Sequence, residues 1–369
     1  MIIEINMLKN YAPSNLNRDE NGAPKTCYFG GVKRGRISSQ CLKRSWRNSE
    51  YFQTEIGKDN IGIRTRKMPE MVAAILREKG TDEELIDVIK NKLTGVGNSE
   101  GKETSDQKTS QIIMYSRDDI EAIAEWVASH IEGKTKKDIE KAKFAKELQE
   151  ALKKNSHRSA TVDMALWGRM VTSNAFADVE ASMRVGHAIS TNKAVMESDF
   201  FTAVDDLLNS GEETGAGMMG DIDYTSYCYY MYSCIDVEKL KENLSETDNC
   251  DEIVKKLIPV LVETMAYTDP SGKQNTFAAH SLPSAVLVEI KNKNIVADYS
   301  DAFEVPVRQD HEHGITYYSE KSLAERCNLR QKKYAIPVEK RLWFCIDDDI
   351  KVENAVTCES FADLIEALR

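Results

Sequence analysis

Residues 29–47 read Phe-Gly-Gly-Val-Lys-Arg-Gly-Arg-Ile-Ser-Ser-Gln-Cys-Leu-Lys-Arg-Ser-Trp-Arg, and this stretch is the most informative part of the sequence. A glycine-rich connection leads into a segment with helical spacing, which Ser38 or Ser39 would cap and which continues through Trp46. The polar residues at i, i+3, i+4 and i+7 share one face of this helix: Gln40, Lys43, Arg44 and Arg47. The other face carries residues that can pack, namely Ile37, Cys41, Leu42, Ser45 and Trp46. The stretch therefore predicts an amphipathic helix with one basic face.

The start of this helix has the features of an anion-binding site. Unpaired backbone N–H groups and the helix dipole favour negative charge there, and the hydroxyl groups of Ser38 and Ser39 can donate hydrogen bonds. Gly30 and Gly31 lack a β-carbon, so a sugar-phosphate chain could approach their backbone closely. Such a surface contacts phosphates rather than base edges, and it therefore predicts nucleic-acid binding without sequence preference.

Charge is unevenly distributed along the chain, whose net charge is −11. Residues 1–49 hold nine Lys or Arg and three Asp or Glu, a net charge of +6, whereas the remaining residues sum to −17. Residues 21–49 contain seven basic residues and no acidic one. Two interpretations fit this asymmetry: a localised polyanion-binding surface on an acidic body, or a solvated basic helix.

The sequence motifs give little support for nucleotide-cofactor binding, metal binding or catalysis. The chain has no Gly-x-x-x-x-Gly-Lys-Ser/Thr motif, and its eight cysteines show no Cys-x-x-Cys spacing, which predicts reduced thiols rather than zinc ligands. His311 and His313 are the only close histidine pair, and no third metal ligand is identifiable beside them. Asp19, next to Arg18, is interpreted as half of a structural ion pair. We therefore expect no cofactor, no metal and no catalytic residue.

The rest of the chain predicts a mixture of helices and strands. The period-two pattern of Ile3, Ile5 and Met7 predicts a first strand at residues 2–8, and residues 68 to about 154 have a helical pattern. Further strands are predicted at 224–234 and 285–290, with an amphipathic helix at 251–267 between them. This order is compatible with a split β-α-β-β-α-β core that carries large insertions. No signal-peptide pattern and no apolar run of about 18 residues occurs, so we expect a cytoplasmic protein.

The adjacent aromatic residues Phe200 and Phe201 allow two interpretations. They could form a local core, which is the usual role of neighbouring aromatic side chains. They could instead stand exposed on a protruding hairpin and wedge between or against bases.

Several segments resemble the CasC family, the CRISPR RNA-binding backbone subunit of the type I-E Cascade complex. The resemblance rests on residues 29–47 and, in the same order as in the family, on Asn17-Arg-Asp19, Gly168-Arg-Met-Val-Thr-Ser173, residues 184–191 and Asp199-Phe-Phe-Thr-Ala-Val-Asp-Asp-Leu207. It implies an α+β fold: an RRM-like (ferredoxin-like) palm with an inserted helical fingers domain and a β-hairpin thumb. The implied domains are a first palm part with the basic helix at 1–55, fingers at 56–160, an RNA-facing palm segment at 161–186, the thumb at 187–224 and the rest of the palm at 225–369.

The resemblance also implies roles for particular residues. RNA-backbone contacts carry over to Arg18, Lys25, Ser38, Gln40, Lys43 and Arg47. Contacts with bases or sugars carry over to Arg169, Met170 and Thr172. The thumb wedge carries over to Phe201, Thr202 and Val204, with Met218 and Met219 on the returning arm.

The implied function is that of a non-catalytic subunit that oligomerises along a guide RNA and presents it for pairing with target DNA in antiviral defence. Its partners would be the CRISPR RNA, the paired target DNA strand, further copies of itself, and the guide-end, large and small subunits of Cascade. An alternative is an RNA-cleaving backbone subunit of the type III kind, in which Asp19 or Asp178 would be the catalytic aspartate. A metabolic enzyme with a basic substrate pocket is a third hypothesis.

Overall fold

The computed structural model describes residues 1–154, 160–173, 175–203 and 218–369. In this part of the chain the fold is mixed α+β. It consists of a nine-stranded mixed sheet, two two-stranded sheets and the helices between their strands. The strands are β1 (Ile2–Asn10), β2 (Thr26–Phe29), β3 (Val32–Ile37), β4 (Ile63–Thr65), β5 (Ile113–Tyr115), β6 (Met183–Val185), β7 (Ala188–Ser190), β8 (Glu197–Ala203), β9 (Met218–Tyr224), β10 (Cys228–Asp236), β11 (Pro283–Lys291), β12 (Lys340–Cys345) and β13 (Val356–Thr357). The α-helices are α1 (Ser39–Asn48), α2 (Glu50–Ile56), α3 (Met68–Glu78), α4 (Glu83–Leu93), α5 (Arg117–Ile131), α6 (Lys136–Lys141), α7 (Phe144–Lys154), α8 (Val162–Trp167), α9 (Val237–Asn243), α10 (Cys250–Tyr267), α11 (Gln274–Phe277), α12 (Ile315–Tyr334) and α13 (Phe361–Glu366).

Internal contacts divide the chain into two compact units. The sheet unit comprises Met1–Phe52, Arg184–Ile235 and Ile258–Arg369. The helical unit comprises Gln53–Met183 and Asp236–Leu257. The chain therefore enters and leaves the sheet unit more than once, and each unit is built from segments that are distant in sequence.

The large sheet is ordered β13-β12-β11-β1-β10-β7-β3-β2, and β6 also pairs with β10. Strands β12 and β13 are parallel, whereas β1 with β11, β11 with β12, and β3 with β7 are antiparallel. Strand β1 pairs with β11 from Ile2↔Lys291 to Leu8↔Ala285 without interruption. The strands predicted at 2–8 and 285–290 are thus confirmed, and they lie side by side.

Strand β1 is buried on both faces rather than on one. Its alternating apolar residues pack inward as predicted, but Glu4 and Asn6 on the other face are buried as well. Glu4 forms an ion pair with Lys291, and the hydroxyl group of Tyr230 donates to Asn6 Oδ1 at 2.7 Å. These partners pair Glu4 and the amide oxygen of Asn6, whereas Asn6 Nδ2 has no partner among the described residues.

Helix α12 packs against β1 and β11 and closes a core within the sheet unit. The buried residues of this core include Leu8, Tyr230, Leu287, Phe303, Leu323 and Trp343. Trp343 is fully buried, and its indole N–H donates to the Ile350 carbonyl oxygen at 3.0 Å. A long helix and a core strand therefore lie in the C-terminal segment.

The helical unit confirms the helical pattern predicted for residues 68–154. Helices α3 to α7 contribute most of its apolar core, which includes Val72, Leu76, Ile89, Ile123 and Leu148. Strands β4 and β5 form a short antiparallel pair that the sequence did not predict. Three-residue strands leave too little alternation to be recognised inside a helical region.

Strands β8 and β9 form a separate two-stranded hairpin in the sheet unit. Their register runs from Glu197↔Tyr224 to Ala203↔Met218. The single strand predicted at 224–234 is wrong in its start, because β9 ends at Tyr224 and β10 begins at Cys228. Between them Thr225 pairs with Ser14, and the chain passes there from the hairpin into the large sheet.

Candidate nucleic-acid interface

Helix α1 forms as the sequence predicts and presents a basic surface. The Ser38 hydroxyl group accepts the Cys41 N–H at 3.3 Å and caps the helix, while Leu42 and Trp46 are buried. Gln40 and Arg44 are exposed, and Lys43 and Arg47 are partly exposed on the same side. Burial of its side chain lowers the pKa of Lys43. The predicted phosphate-facing residues of this helix are therefore brought together.

The backbone at the start of α1 is less open than the sequence suggested. The Ser38 N–H donates to Asn17 Oδ1 at 2.9 Å, and the Ser39 N–H donates to His187 Nδ1 at 3.3 Å. Within the described ranges, the N–H of Gln40 has no acceptor. The prediction of several free N–H groups is wrong, because side chains from two other segments occupy them.

His187 is a residue at this site that sequence reasoning did not single out. His187 is exposed overall, but partial desolvation of the ring together with the charges of Arg36 and Lys25 lowers its pKa. A neutral ring leaves Nδ1 able to accept from Ser39. The signal that could have identified it is its place in the segment 184–191, which already belonged to the family resemblance.

The glycine pair Gly30-Gly31 forms the two-residue turn between β2 and β3, with φ values of +58° and +75°. Glycine adopts these positive φ values without steric cost. A β-carbon on Gly30 would lie 1.8 Å from the carbonyl oxygen of Glu304, whereas one on Gly31 would meet nothing. The interpretation of Gly30 as a close approach for RNA is therefore wrong, because the chain itself fills that space.

Arg34 also serves the fold rather than the surface. Its side chain is fully buried, and its guanidinium group donates to four carbonyl oxygens, those of Ser190, Thr191, Phe303 and Glu304. Burial lowers its pKa. One of the seven basic residues in 21–49 is thus an internal cross-link between segments of the sheet unit.

Arg18 and Lys25 lie on the loop that precedes β2. Arg18 is exposed and pairs through its backbone with Pro24, and Lys25 is partly exposed. Asp19 accepts the N–H groups of Asn21 and Ala23 at 2.9 and 3.0 Å. No ion pair joins Asp19 to Arg18 in the described part of the chain, so the predicted ion pair is wrong: the carboxylate holds its own loop instead.

The helical unit holds Arg169, Met170 and Thr172. Arg169 forms an ion pair with Asp119 at 2.8 Å, and its Nε donates to the Ala177 carbonyl oxygen at 3.2 Å. Met170 is 91% exposed, and Thr172 is exposed and donates to Gln111 Oε1 at 3.0 Å. The guanidinium group of Arg169 is thus engaged within the chain, whereas Met170 is accessible; the base or sugar contacts stay a prediction.

The predicted wedge residues lie on two different faces of the β8–β9 hairpin. Because Phe201 lies opposite Gly220 and Ala203 opposite Met218, the side chains of Phe201 and Met218 share one face. Thr202 lies on the other face with Phe200 and Met219. Val204 lies outside the described residues.

The two aromatic residues of the hairpin have different surroundings. Phe200 is 62% exposed, so the local-core interpretation is wrong for it. Phe201 is half-buried, and a β-carbon on Gly220 would lie 2.8 Å from its ring. The ring therefore covers the glycine of the opposite strand, and the hairpin displays apolar side chains on both faces.

Candidate catalytic groups are not assembled in the described part of the chain. No group of three or more His, Cys, Asp or Glu there could hold a metal ion. Asp178 accepts the Val171 N–H at 2.8 Å, and the ring of His313 stacks on Tyr317 at a centroid distance of 3.7 Å. All eight cysteines are free thiols.

Two further sequence features can be settled from the structure. Gly215-Ala-Gly-Met-Met-Gly220 has the letters of a dinucleotide fingerprint, but its last three residues lie in strand β9, whereas that fingerprint opens a helix. None of the described helices is long and apolar enough to cross a membrane.

Comparisons with known proteins agree along the whole chain. A family model described as "CT1975-like protein" matches residues 3–367. A chain of the structure "CRISPR RNA-guided surveillance complex, pre-nicking" is 26% identical, with a TM-score of 0.83 over 100% of this chain and 99% of that chain. A chain of "CRISPR RNA-guided surveillance complex" is 20% identical, with a TM-score of 0.72 over the same shares, and this likeness shows the fold alone. Among curated proteins there is no match.

Proposed function

Because the chain belongs to the CT1975-like protein family, we propose that it is a non-catalytic, RNA-binding backbone subunit of a CRISPR RNA-guided surveillance complex, specifically a type I-E Cascade. The structural likeness at 26% identity is to a chain of such a complex and extends over nearly the full length of both chains. It supports a role within the assembly rather than in an accessory protein.

The observation that carries the proposal is the exposed basic face of α1. Lys43 and Arg44 have no ion-pair partner within the described ranges, although the chain as a whole is acidic. A cluster of cations that the fold leaves without carboxylates is a surface for a polyanion, and it binds phosphates irrespective of base. Sequence would then be read by pairing between guide and target, while the protein holds the guide backbone.

In this proposal the nine-stranded sheet is an RRM-like palm, the helical unit is the fingers domain and the β8–β9 hairpin is the thumb. Several copies would line up along one CRISPR RNA, each thumb reaching over the RNA held by a neighbour. An isolated two-stranded hairpin is marginally stable in water, so an exposed apolar hairpin of this kind gains stability from a partner. Phe201 and Met218 would face that RNA together.

We further propose that the protein acts in the cytoplasm in antiviral defence, without a catalytic residue or cofactor. Target DNA, further copies of the chain and the guide-end, large and small Cascade subunits would be its partners. The aspartates that an RNA-cleaving type III subunit would need are engaged in backbone hydrogen bonds, at Asp19 and at Asp178. Target RNA cut at regular spacing, and no longer cut after Asp19→Ala or Asp178→Ala, would establish the alternative.

The decisive experiment is co-expression with a CRISPR array and its processing subunit, followed by purification and sequencing of bound RNA. We expect RNA of uniform guide length and several protein copies per RNA. Purified protein that is monomeric and free of RNA, even when the other Cascade subunits are co-expressed, would contradict the proposal.

A further inference from the structure

An exposed apolar strip lies on one face of the large sheet, in a part of the chain to which no sequence motif assigned a role. Phe344 of β12 alternates with Trp343 and Cys345, which face the core that α12 closes, and it therefore points to the opposite face. Ile346 follows on the same face, because its N–H donates to the Ser284 carbonyl oxygen at 2.9 Å and continues the pairing of the two strands.

Further side chains extend the strip on both sides. Val356 of β13 pairs with Leu342 of β12 and so shares this face, where it is 55% exposed. Ile346 is 63% exposed, and Tyr267, the last residue of α10, is 48% exposed. With the partly exposed Phe361 of α13, the apolar strip consists of Tyr267, Phe344, Ile346, Val356 and Phe361. Large apolar side chains exposed side by side are typical of binding surfaces.

Aromatic contacts hold the strip in shape. The ring of Phe344 packs edge to face against Phe361 at a centroid distance of 5.9 Å, and Phe361 packs in the same way against Tyr267 at 5.6 Å. The ring of Tyr51 lies 5.7 Å from Tyr267 and ends the row. Edge-to-face contacts orient each ring relative to the next, so the strip is a preformed surface.

The spacing of the rings suits an α-helix. Successive ring centroids lie 5.6–5.9 Å apart, close to the pitch of an α-helix, about 5.4 Å. Residues on one face of a β-strand recur every 6.4–6.8 Å or so, and a polyproline helix repeats only after about 9.3 Å. A helix with apolar residues at i, i+4 and i+7 can therefore place one side chain against each gap between rings.

The rim of the strip is acidic. Glu263 lies one helical turn before Tyr267 on α10, and burial of the Tyr267 ring together with the charge of Glu263 raises the pKa of Tyr267. Glu359 precedes Phe361 by two residues, and Asp348 follows Ile346 by two residues; both carboxylates are exposed. None of these three carboxylates has an ion-pair partner among the residues that the structure describes.

Cations beside the strip are engaged within the chain. Lys340, on the same face of β12 as Phe344, donates to the Ala367 carbonyl oxygen at 2.6 Å, and Arg369 forms an ion pair with Glu366 at 3.5 Å. The unpaired carboxylates repel a polyanion and attract Lys or Arg side chains. Charge therefore favours a protein partner with basic residues over a nucleic acid.

We propose that the apolar strip binds an amphipathic α-helix of a second protein. The helix places apolar side chains between the rings of Phe344, Phe361 and Tyr267, and Lys or Arg residues on the acidic rim. The proposal goes beyond the proposed RNA binding and does not depend on it, because the residues involved are different and of opposite charge.

A synthetic helix tests the proposal in the absence of RNA. The probe is a fluorescently labelled peptide of Leu, Lys and Ala in which Leu recurs at i, i+4 and i+7, and anisotropy gives its affinity. For the wild type we expect a Kd on the order of micromolar, because a contact of about three helical turns is smaller than a standard interface. Tyr267→Ser and Ile346→Ser should each weaken binding about tenfold, the loss of one apolar anchor. Tyr334→Ser is the matched control, because Tyr334 is exposed at the end of α12 and lies outside the strip.

A second peptide, with Glu in place of every Lys, tests the acidic rim and should bind the wild type about tenfold more weakly. No binding of the Lys peptide, equal affinity of that peptide for the wild type and all three variants, or equal affinity of the wild type for both peptides would overturn the proposal. If Tyr267→Ser does not fold, the largely exposed Ile346 still gives the answer. Self-association of the wild type in sedimentation equilibrium that Ile346→Ser abolishes would overturn the proposal in favour of a second copy. Because no step uses RNA, each of these results is independent of whether the chain binds a guide.

Discussion

Glu320 is expected to make the sheet unit less stable as the pH rises. It lies fully buried on α12, where Cys345 Sγ donates to its Oε2 at 3.3 Å and its Oε1 has no partner among the described residues. Burial, reinforced by the negative charge of Asp347, raises the pKa of Glu320 to about 8 from its ordinary 4.5. Because no cation among the described residues forms an ion pair with it, the folded chain keeps the carboxyl group protonated at neutral pH.

The sign of the effect follows from the raised pKa. Below about pH 4.5 the carboxyl group is protonated in the folded and the unfolded chain alike, and its contribution to stability is fully present. As the pH rises towards about 8, only the unfolded chain releases the proton, and that contribution is lost. Each pKa unit corresponds to about 1.4 kcal/mol, so the 2.5 units between the ordinary pKa of 4.5 and pH 7 give a penalty of at most about 3.4 kcal/mol on the free energy of unfolding.

Glu320→Gln removes this penalty and keeps the shape of the side chain. We expect the variant to exceed the wild type in free energy of unfolding by about 2–3 kcal/mol at pH 7 and by little at pH 5. Urea unfolding followed by tryptophan fluorescence, to which the buried Trp343 contributes, reports the difference. Glu325→Gln is the control, because Glu325 is exposed on the same helix. The reasoning is refuted if Glu320→Gln changes stability equally at both pH values.

Three further predictions follow from the interface and the sheet unit. Lys43→Ala combined with Arg47→Ala should weaken binding to all RNA sequences alike. It should also reduce the slope of the logarithm of the RNA-binding constant against the logarithm of the salt concentration by about 1.4. An unchanged slope in a KCl titration would contradict the phosphate-binding face of α1. Gly30→Ala should lower the free energy of unfolding by more than Gly31→Ala, because both strain a positive φ but only the first meets a carbonyl oxygen; equal losses in urea would show that the contact is unimportant. Arg34→Met should cost about 3–5 kcal/mol in the same assay, since it leaves four carbonyl oxygens without their donor, and a loss below about 1 kcal/mol would mean that water replaces it.

Local features of the fold were predictable from the sequence because their causes are local. The cap at Ser38 and the spacing of Leu42 and Trp46 determine both the start of α1 and its buried face. The apolar side of β1 was predictable for the same reason. Its second buried face was not, because the burial of Glu4 depends on Lys291, which is distant in sequence.

In the candidate interface, too, local features were predictable from the sequence and contacts between distant residues were not. The helical spacing that groups Lys43 and Arg44 can be counted along the chain. The sequence does not show that Arg34 turns inward, since a buried arginine looks like an exposed one until its carbonyl partners are known. The buried ion pair of Lys9 with Asp269 was likewise not predictable, because the two residues are distant in sequence.

The pairing of β1 with β11 has a consequence for the synthesis of the protein. Strand β1 ends at Asn10 and its partner begins at Pro283, so more than two-thirds of the chain must emerge before the two can meet. At about 5–20 residues per second this wait lasts roughly 15 to 55 seconds on the ribosome. Contacts so distant in sequence also slow folding once the chain is complete. During that interval the basic segment at 21–49 is already outside the ribosome without its sheet, where a chaperone or an RNA could reach it first.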